Sequence, residues 1–182
     1  MAYGLLSTID PGHYTKLNMK RLFIDLDICN KCEECKVCCD YFYHPQNNGI
    51  TSLREYATFA TICRHCEEAP CVNSCYHNAL ERAPDGHIKR YKMRCTSCKS
   101  CSVACPFGII FQDFIPYLDS KCDYCIGRDV ELPKCVATCP EKAIEVKEIE
   151  EDLEKNIYFV GEHLAVHTLK WSKEDVQLPK KK

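Results

Sequence analysis

The amino-acid sequence predicts an α+β fold built from short elements, for three reasons. The chain of 182 residues contains 17 cysteines, and these fall into four groups, which is an internal repeat. Apolar and acidic residues alternate over residues 22–28, directly before the first group, as in a half-buried strand. After the second, third and fourth groups, a short helical turn is followed by an apolar pair. We therefore expect each repeat to contain a strand, a cysteine loop and a short helix.

The segments between and after the groups predict further elements. Asp85 and Gly86, followed by the alternating residues 87–91, indicate a hairpin. Residues 53–59 indicate a helix that follows a loop. We expect the acidic run over residues 145–154 to form a solvated helix and residues 180–182 to form a frayed tail.

Composition narrows the class of protein. Cysteine makes up about a tenth of the chain while large aliphatic residues are sparse, so metals or cross-links must supplement a small apolar core. Residues 1–20 contain no apolar signal-peptide core, so we expect a cytoplasmic location with reduced thiols. The odd number of cysteines also disfavours a disulfide framework. No stretch of about 18 apolar residues occurs, so no transmembrane segment is predicted.

Sixteen of the cysteines form four runs, and in each run three residues separate the last two members. The runs are Cys29, Cys32, Cys35 and Cys39; Cys63, Cys66, Cys71 and Cys75; Cys95, Cys98, Cys101 and Cys105; and Cys122, Cys125, Cys135 and Cys139. Cys38 is the spare cysteine when Cys39 completes the first run, although the choice between these two stays open.

The spacing of the runs favours iron–sulfur clusters over zinc. Three cysteines at two-residue intervals place three thiolates on the corners of a 4Fe-4S cubane, and the fourth ligand arrives from elsewhere. The third run, which is followed by Pro106, matches this pattern in full. Zinc would instead require two separated pairs that converge on one ion. Haem attachment, a phosphate-binding glycine loop and a thioredoxin-type pair all lack their motifs, so four 4Fe-4S clusters are the predicted cofactors.

Basic and imidazole side chains lie close to the cysteines. They are either ordinary surface residues or groups that offset the cluster charge. The basic residues are Lys31, Lys36, Arg64, Arg94, Lys99 and Lys121. His65 and His77 lie beside predicted ligands, so they either pack in loops or donate hydrogen bonds to sulfur, and we do not predict them as ligands.

The order and spacing of the runs resemble the four-cluster ferredoxin family that supplies electron-transfer subunits of molybdenum and tungsten oxidoreductases. Dimethyl sulfoxide reductase, formate dehydrogenase and formate hydrogenlyase systems contain such subunits. The small size also resembles the ferredoxin-like subunits of tungsten enzymes of the aldehyde oxidoreductase type, including benzoyl-CoA reductase complexes. The likeness covers about residues 21–146. Asp40 and Tyr76 stand where this family usually has proline.

This resemblance implies two ferredoxin-like modules that each hold two clusters, one module nested in the other. The inner module covers about residues 62–110 and the outer module about 21–40 and 116–146, with extensions over 1–20 and 147–182. The implied ligand sets are Cys29, Cys32 and Cys35 with Cys139; Cys122, Cys125 and Cys135 with Cys39; Cys63, Cys66 and Cys71 with Cys105; and Cys95, Cys98 and Cys101 with Cys75.

The function implied by the resemblance is electron transfer without catalysis. Electrons would pass through four 4Fe-4S clusters between a large molybdenum- or tungsten-containing catalytic subunit and a second redox partner, either another electron-transfer subunit or a ferredoxin. One alternative is a stand-alone soluble polyferredoxin, and another is an enzyme with an open cluster corner. Nucleic acid is not an expected partner.

The apolar residues in 157–171 leave two alternatives open. The segment either packs on the catalytic subunit, with Tyr158 and Trp171 as anchors, or covers the core of its own chain.

Overall fold

The computed structural model describes residues 20–39, 49–114, 122–126 and 128–169. Within these ranges the chain has mixed α and β content, as the sequence predicts. Two 3-10 turns, at Lys92–Arg94 and Gln112–Phe114, accompany the main elements. In chain order the elements are β1 (Lys20–Asp25), α1 (Leu26–Cys29), α2 (Gly49–Thr61), α3 (Pro70–Asn73), β2 (Leu80–Arg82), β3 (Ile88–Arg90), α4 (Ser100–Ala104), α5 (Lys134–Thr138), β4 (Ile144–Glu148), β5 (Ile157–Val160) and β6 (Leu164–His167).

A four-stranded sheet joins the two ends of the described chain. Its strand order is β4-β1-β6-β5, in which β1 runs antiparallel to β4 and parallel to β6. β1 is central, so its residues Leu22 to Ile24 are buried. Because β1 leads into the first cysteine run and β4 follows the fourth, this pairing brings the two runs together.

The hairpin predicted around Asp85 and Gly86 is confirmed. β2 and β3 pair antiparallel, with Leu80 opposite Arg90. Gly86 adopts a φ of +87°, a conformation that is unfavourable for residues with a side chain. The Asp85 carboxylate accepts the backbone N–H of His87 at 3.0 Å, which fixes the turn.

Among the described residues, two hydrophobic clusters form the core, and α2 contributes to both. Ile50, Leu53 and Ala57 pack with residues of β1, β4 and β6 in one cluster. Phe59, at the other end of α2, packs with Leu80, Ile88 and Ile110 in the other. The helix predicted over residues 53–59 is therefore confirmed and extended, and it links the sheet to the hairpin.

The internal repeat recurs in the backbone conformation. The third residue after each of three cysteines has a positive φ and donates its N–H to the carbonyl of that cysteine. These pairs are Asn78 with Cys75, Gly108 with Cys105, and Lys142 with Cys139, at 3.1, 3.1 and 3.3 Å. The same tight turn thus closes the second, third and fourth runs.

The predicted elements of the repeat are wrong in two respects, the end of the first strand and the position of the short helices. β1 ends at Asp25 rather than Ile28, because the Asp25 carboxylate accepts the N–H of Ile28 at 2.9 Å and begins α1. The short helices lie inside the runs rather than after them, since α3, α4 and α5 contain Cys71, Cys101 and Cys135.

The helix predicted over residues 145–154 is also wrong. Residues Ile144–Glu148 form β4, in which Ile144 is opposite Ile24 and Val146 opposite Leu22. The Lys147 ammonium pairs with Glu145 at 2.7 Å and lies 3.6 Å from the centroid of the Phe23 ring. The charged residues that suggested a solvated helix instead protect a strand at the edge of the sheet.

The segment after residue 156 packs on its own chain over the part that the structure describes. β6 pairs with both β1 and β5, and Leu164, Ala165 and Val166 are fully buried. The second alternative is therefore confirmed for β5 and β6. Trp171 and residues 180–182 lie outside the described residues. Among the described residues, no helix is long and apolar enough to cross a membrane.

Candidate cluster-binding sites

Three cavities are each lined by four cysteines that come from two different runs. Each cavity takes three cysteines from one run and the fourth from another. The Cys29 cavity is lined by Cys29, Cys32, Cys35 and Cys139; the Cys63 cavity by Cys63, Cys66, Cys71 and Cys105; and the Cys95 cavity by Cys75, Cys95, Cys98 and Cys101. In each case the structure brings together the four cysteines of one implied ligand set.

Five cysteines remain, and four of them, Cys39, Cys122, Cys125 and Cys135, are called the Cys122 set. The pKa of Cys135 is raised to about 12, mainly by burial and in addition by the neighbouring thiols of Cys122, Cys125 and Cys39. A Cβ atom added to Gly49 would lie 3.3 Å from the Cys39 sulfur and 3.8 Å from the Cys122 Cα atom. The absence of a side chain at Gly49 therefore lets α2 begin against this set.

The two adjacent cysteines of the first run have different surroundings. Cys39 is close enough to Cys122 to raise its pKa electrostatically. Cys38 is exposed, its backbone N–H donates to the Thr138 hydroxyl at 3.0 Å, and its sulfur lies 3.7 Å from the Lys36 carbonyl oxygen. The geometry favours Cys39 as the fourth member of the Cys122 set.

Buried thiols in these sites require a compensating positive charge to ionise. Burial is the main reason that the pKa values of Cys29, Cys71 and Cys122 each rise to about 11. Iron ions supply such a charge, because a coordinated thiol is deprotonated. Four thiols that line one cavity are the donor set of a 4Fe-4S cubane, so the residues fit this cofactor.

Backbone N–H groups point at several of the sulfurs. Ala79 donates to the Cys75 sulfur at 3.2 Å and Tyr124 to the Cys122 sulfur at 3.4 Å. The N–H of His65 lowers the pKa of Cys63, although burial raises it more. The positive φ angles of His65 and Tyr124, each two residues after a cysteine, accompany these bonds. Such bonds stabilise negative charge on sulfur and tune cluster potentials.

The two histidines near the cysteines differ in role. The His65 ring Nε2 lies 3.1 Å from the Phe59 carbonyl oxygen, and the ring lies 4.5 Å from that of His87. It is the backbone of His65, rather than its ring, that reaches sulfur. The exposed His77 lines the Cys95 cavity and packs edge-on against Tyr76.

Each site has an arginine close by, and sequence reasoning identified only one of the four. Arg64 lines the Cys63 cavity, with its guanidinium 5.3 Å from the Phe107 ring centroid. The three that the sequence did not indicate are Arg54, Arg90 and Arg128. Arg54 lines the Cys29 cavity and Arg90 the Cys95 cavity, while Arg128 interacts electrostatically with Cys125 and Cys39. Arg54 and Arg90 lie outside the cysteine runs, so nothing local in the sequence indicates them.

Among the described residues, most of the other basic residues singled out from the sequence do not line a cysteine cavity. Lys36 forms an exposed ion pair with Glu34 at 3.6 Å. The exposed Arg94 lies 4.8 Å from the Tyr91 ring centroid. Lys99 lines the Cys95 cavity, whereas Lys121 lies outside the described residues. Over the described ranges, no group of three or more His, Cys, Asp or Glu side chains could hold a single metal ion.

A mixed α and β fold whose cavities are lined by four thiols defines an iron–sulfur protein of the ferredoxin type, a class that transports electrons. The model of the 4Fe-4S dicluster domain family matches residues 54–149, and the chain belongs to that family.

Named relatives agree with this class. Putative electron transport protein YsaA of Escherichia coli strain K12 is 34% identical over 147 residues, which cover 72% of this chain and 92% of that protein. Electron transport protein HydN of the same strain is 33% identical, with coverages of 69% and 87%. The probable anaerobic dimethyl sulfoxide reductase chain YnfG is 28% identical, with coverages of 74% and 76%. Other relatives, named putative oxidoreductases, are longer, and the match spans about a fifth of their length.

Proposed function

We propose that this chain is a non-catalytic electron-transfer subunit that relays electrons through four 4Fe-4S clusters. One end of the relay faces a large molybdenum- or tungsten-containing catalytic subunit, and the other faces a second redox partner. The observation that carries the proposal is the assembly of sixteen cysteines into four sets of four. Filling every cluster corner with cysteine leaves no corner for a substrate, so we assign the chain a relay function rather than catalysis.

The proposed ligands are the four sets described above. The Cys29 cavity and the Cys122 set adjoin the hydrophobic cluster of the sheet, while the Cys63 and Cys95 cavities adjoin the cluster around Phe59. This division supports an inner module over about residues 62–110, nested in an outer module formed by 21–40 and 116–146. Because β5 and β6 pair with the outer sheet, we extend the outer module to residue 167.

The catalytic partner is inferred from the likeness to YnfG, which is named as a chain of a dimethyl sulfoxide reductase. Exposed apolar side chains near the cluster sites support contact with another protein: Tyr76 and Met93 are each 90% exposed and Val103 is 81% exposed. The reduced thiols that the clusters need favour a cytoplasmic location.

The alternative of a stand-alone polyferredoxin is favoured by a different observation. YsaA and HydN are themselves small, since this chain matches 92% and 87% of their lengths, and both are named as electron transport proteins. A diffusing carrier of this kind would have no permanent large subunit.

Anaerobic purification of the native complex distinguishes the two functions. Mass spectrometry of the intact complex identifies any large subunit, and elemental analysis measures molybdenum and tungsten. We expect a large subunit with one of these metals to co-elute with the chain. Elution of the fully loaded chain as a monomer, at the concentration present in the cell, would favour the stand-alone carrier.

A further inference from the structure

A buried ion pair connects the helix α2 to the hairpin strand β3. The Arg90 guanidinium donates from Nε and Nη2 to the two Glu55 carboxylate oxygens, each at 2.6 Å. The Arg90 and Glu55 side chains are only 2% and 6% exposed. Because removing two charges from water is costly, a buried pair is weak evidence for a purely stabilising role. Its position therefore needs another explanation.

One residue of the pair contributes to the lining of a cluster site. Arg90 lines the Cys95 cavity, whereas Glu55 does not. The strand pairing of Arg90 with Leu80 and the bidentate bond to Glu55 together fix the guanidinium. Lys92 strengthens the same connection, since its ammonium donates to the Ser52 hydroxyl of α2 at 2.7 Å. The side chain of Arg90 is thus fixed on a residue that lines the cavity, whereas its counter-ion Glu55 is not part of that lining.

Burial distinguishes Arg90 from the other charged groups beside the cavities. The Arg54 and Arg128 side chains are 12% and 27% exposed. Within the Cys95 cavity, Lys99 is half-buried and His77 is exposed. Water and salt screen exposed charges, whereas a buried charge acts through a lower effective dielectric constant. Arg90 is therefore the least exposed of the basic side chains that line this cavity.

We propose that Arg90, positioned by Glu55, raises the reduction potential of the 4Fe-4S cluster held by Cys75, Cys95, Cys98 and Cys101. This inference rests on the proposed ligand set. Reduction adds one electron from the redox partner and takes the cluster with its four thiolates from a charge of about -2 to about -3. A fixed cation stabilises the more negative state, and the Glu55 carboxylate partly opposes it.

Because the two charges oppose each other, the two variants below should shift the reduction potential of the cluster in opposite directions. At an effective dielectric constant of about 20, a unit charge about 10 Å away changes a one-electron equilibrium by about tenfold, which is 59 mV. Glu55→Gln removes the opposing charge, so it should favour the reduced cluster by about tenfold. Replacing both residues, as in Arg90→Met/Glu55→Met, leaves no unpaired charge and removes the cation of the residue that lines the cavity. It should therefore favour the oxidised cluster by about threefold.

The test is an anaerobic redox titration of the full chain followed by EPR, with iron and sulfide measured on each variant. Arg94→Met is the control, because this exposed arginine lies next to Cys95 but is screened by water and salt. Its replacement should change the one-electron equilibrium of the cluster by about twofold or less. Cys98→Ser identifies the relevant couple, since replacing one thiolate alters or removes the signal of that cluster alone. In both charge variants, the reduction potential of this cluster should shift more than that of any other cluster.

Opposite shifts of that couple would establish the tuning role. The proposal is overturned when the couple does not move, or moves in the same direction in both variants. Loss of clusters from both charge variants, with full loading of the Arg94→Met control, would also overturn it by making the pair purely structural. A wild-type chain without iron would instead refute the proposed function, so the two failures are distinguishable.

Discussion

Replacing Leu164 with alanine tests whether β6 belongs to the core of this chain. Leu164 is fully buried and pairs with Leu22 of β1. Truncating a fully buried leucine removes its transfer free energy and leaves a cavity, at a cost of about 2–5 kcal/mol. For a chain of this size each 1 kcal/mol lowers the melting temperature by about 2–4 °C, so Leu164→Ala should lower it by roughly 4–20 °C.

The assay is anaerobic heating of the cluster-loaded protein at one fixed scan rate, followed by the visible absorbance of the clusters. Unfolding of iron–sulfur proteins is often irreversible, so variants are compared only at the same scan rate. Leu153→Ala is the matched control, since that leucine is 68% exposed and its truncation should cost less than about 0.5 kcal/mol. Equal melting temperatures for the two variants would refute the packing of β6 on β1.

Three further predictions concern the cysteine sites. Cys39→Ser should disturb one cluster and reduce iron by up to about four per chain, whereas Cys38→Ser should retain full loading; equal losses would contradict the assignment of Cys39. Removing all clusters with a chelator and an oxidant should abolish most native circular dichroism, because the apolar core is small; a folded apo-protein would contradict this. Cys139→Ala should yield little soluble protein, because Cys139 lines the Cys29 cavity between the first and last runs; normal yield with full iron would argue against that ligand set.

The parts of the fold that the sequence predicted have local signals. Gly86 in a two-strand pattern indicated the hairpin, and the apolar positions of residues 53–59 indicated α2. The grouping of cysteines by spacing agrees with the cavities, because each run is a short loop that can curl around one site. The pairing of the runs came from the family resemblance rather than from the spacing, and the ligand sets that it implies stay a prediction.

The parts that the sequence did not predict depend on contacts between distant residues. β4 alternates Ile144 and Val146 with charged residues, but the surrounding glutamates obscured this pattern. β6 becomes a core strand only because β1, more than a hundred residues earlier, pairs with it. Arg90 lies beside a cluster site because the hairpin folds against α2, and no local motif indicates such a contact.

The most direct test of the account is the content of iron and acid-labile sulfide in anaerobically purified chain, measured with zinc and protein concentration. Four fully occupied sets predict about sixteen irons and sixteen sulfides per chain, with negligible zinc. About twelve of each would indicate one vacant site, and the count of four clusters would be wrong. Zinc in place of iron, in protein purified anaerobically from its own host, would contradict the central claim.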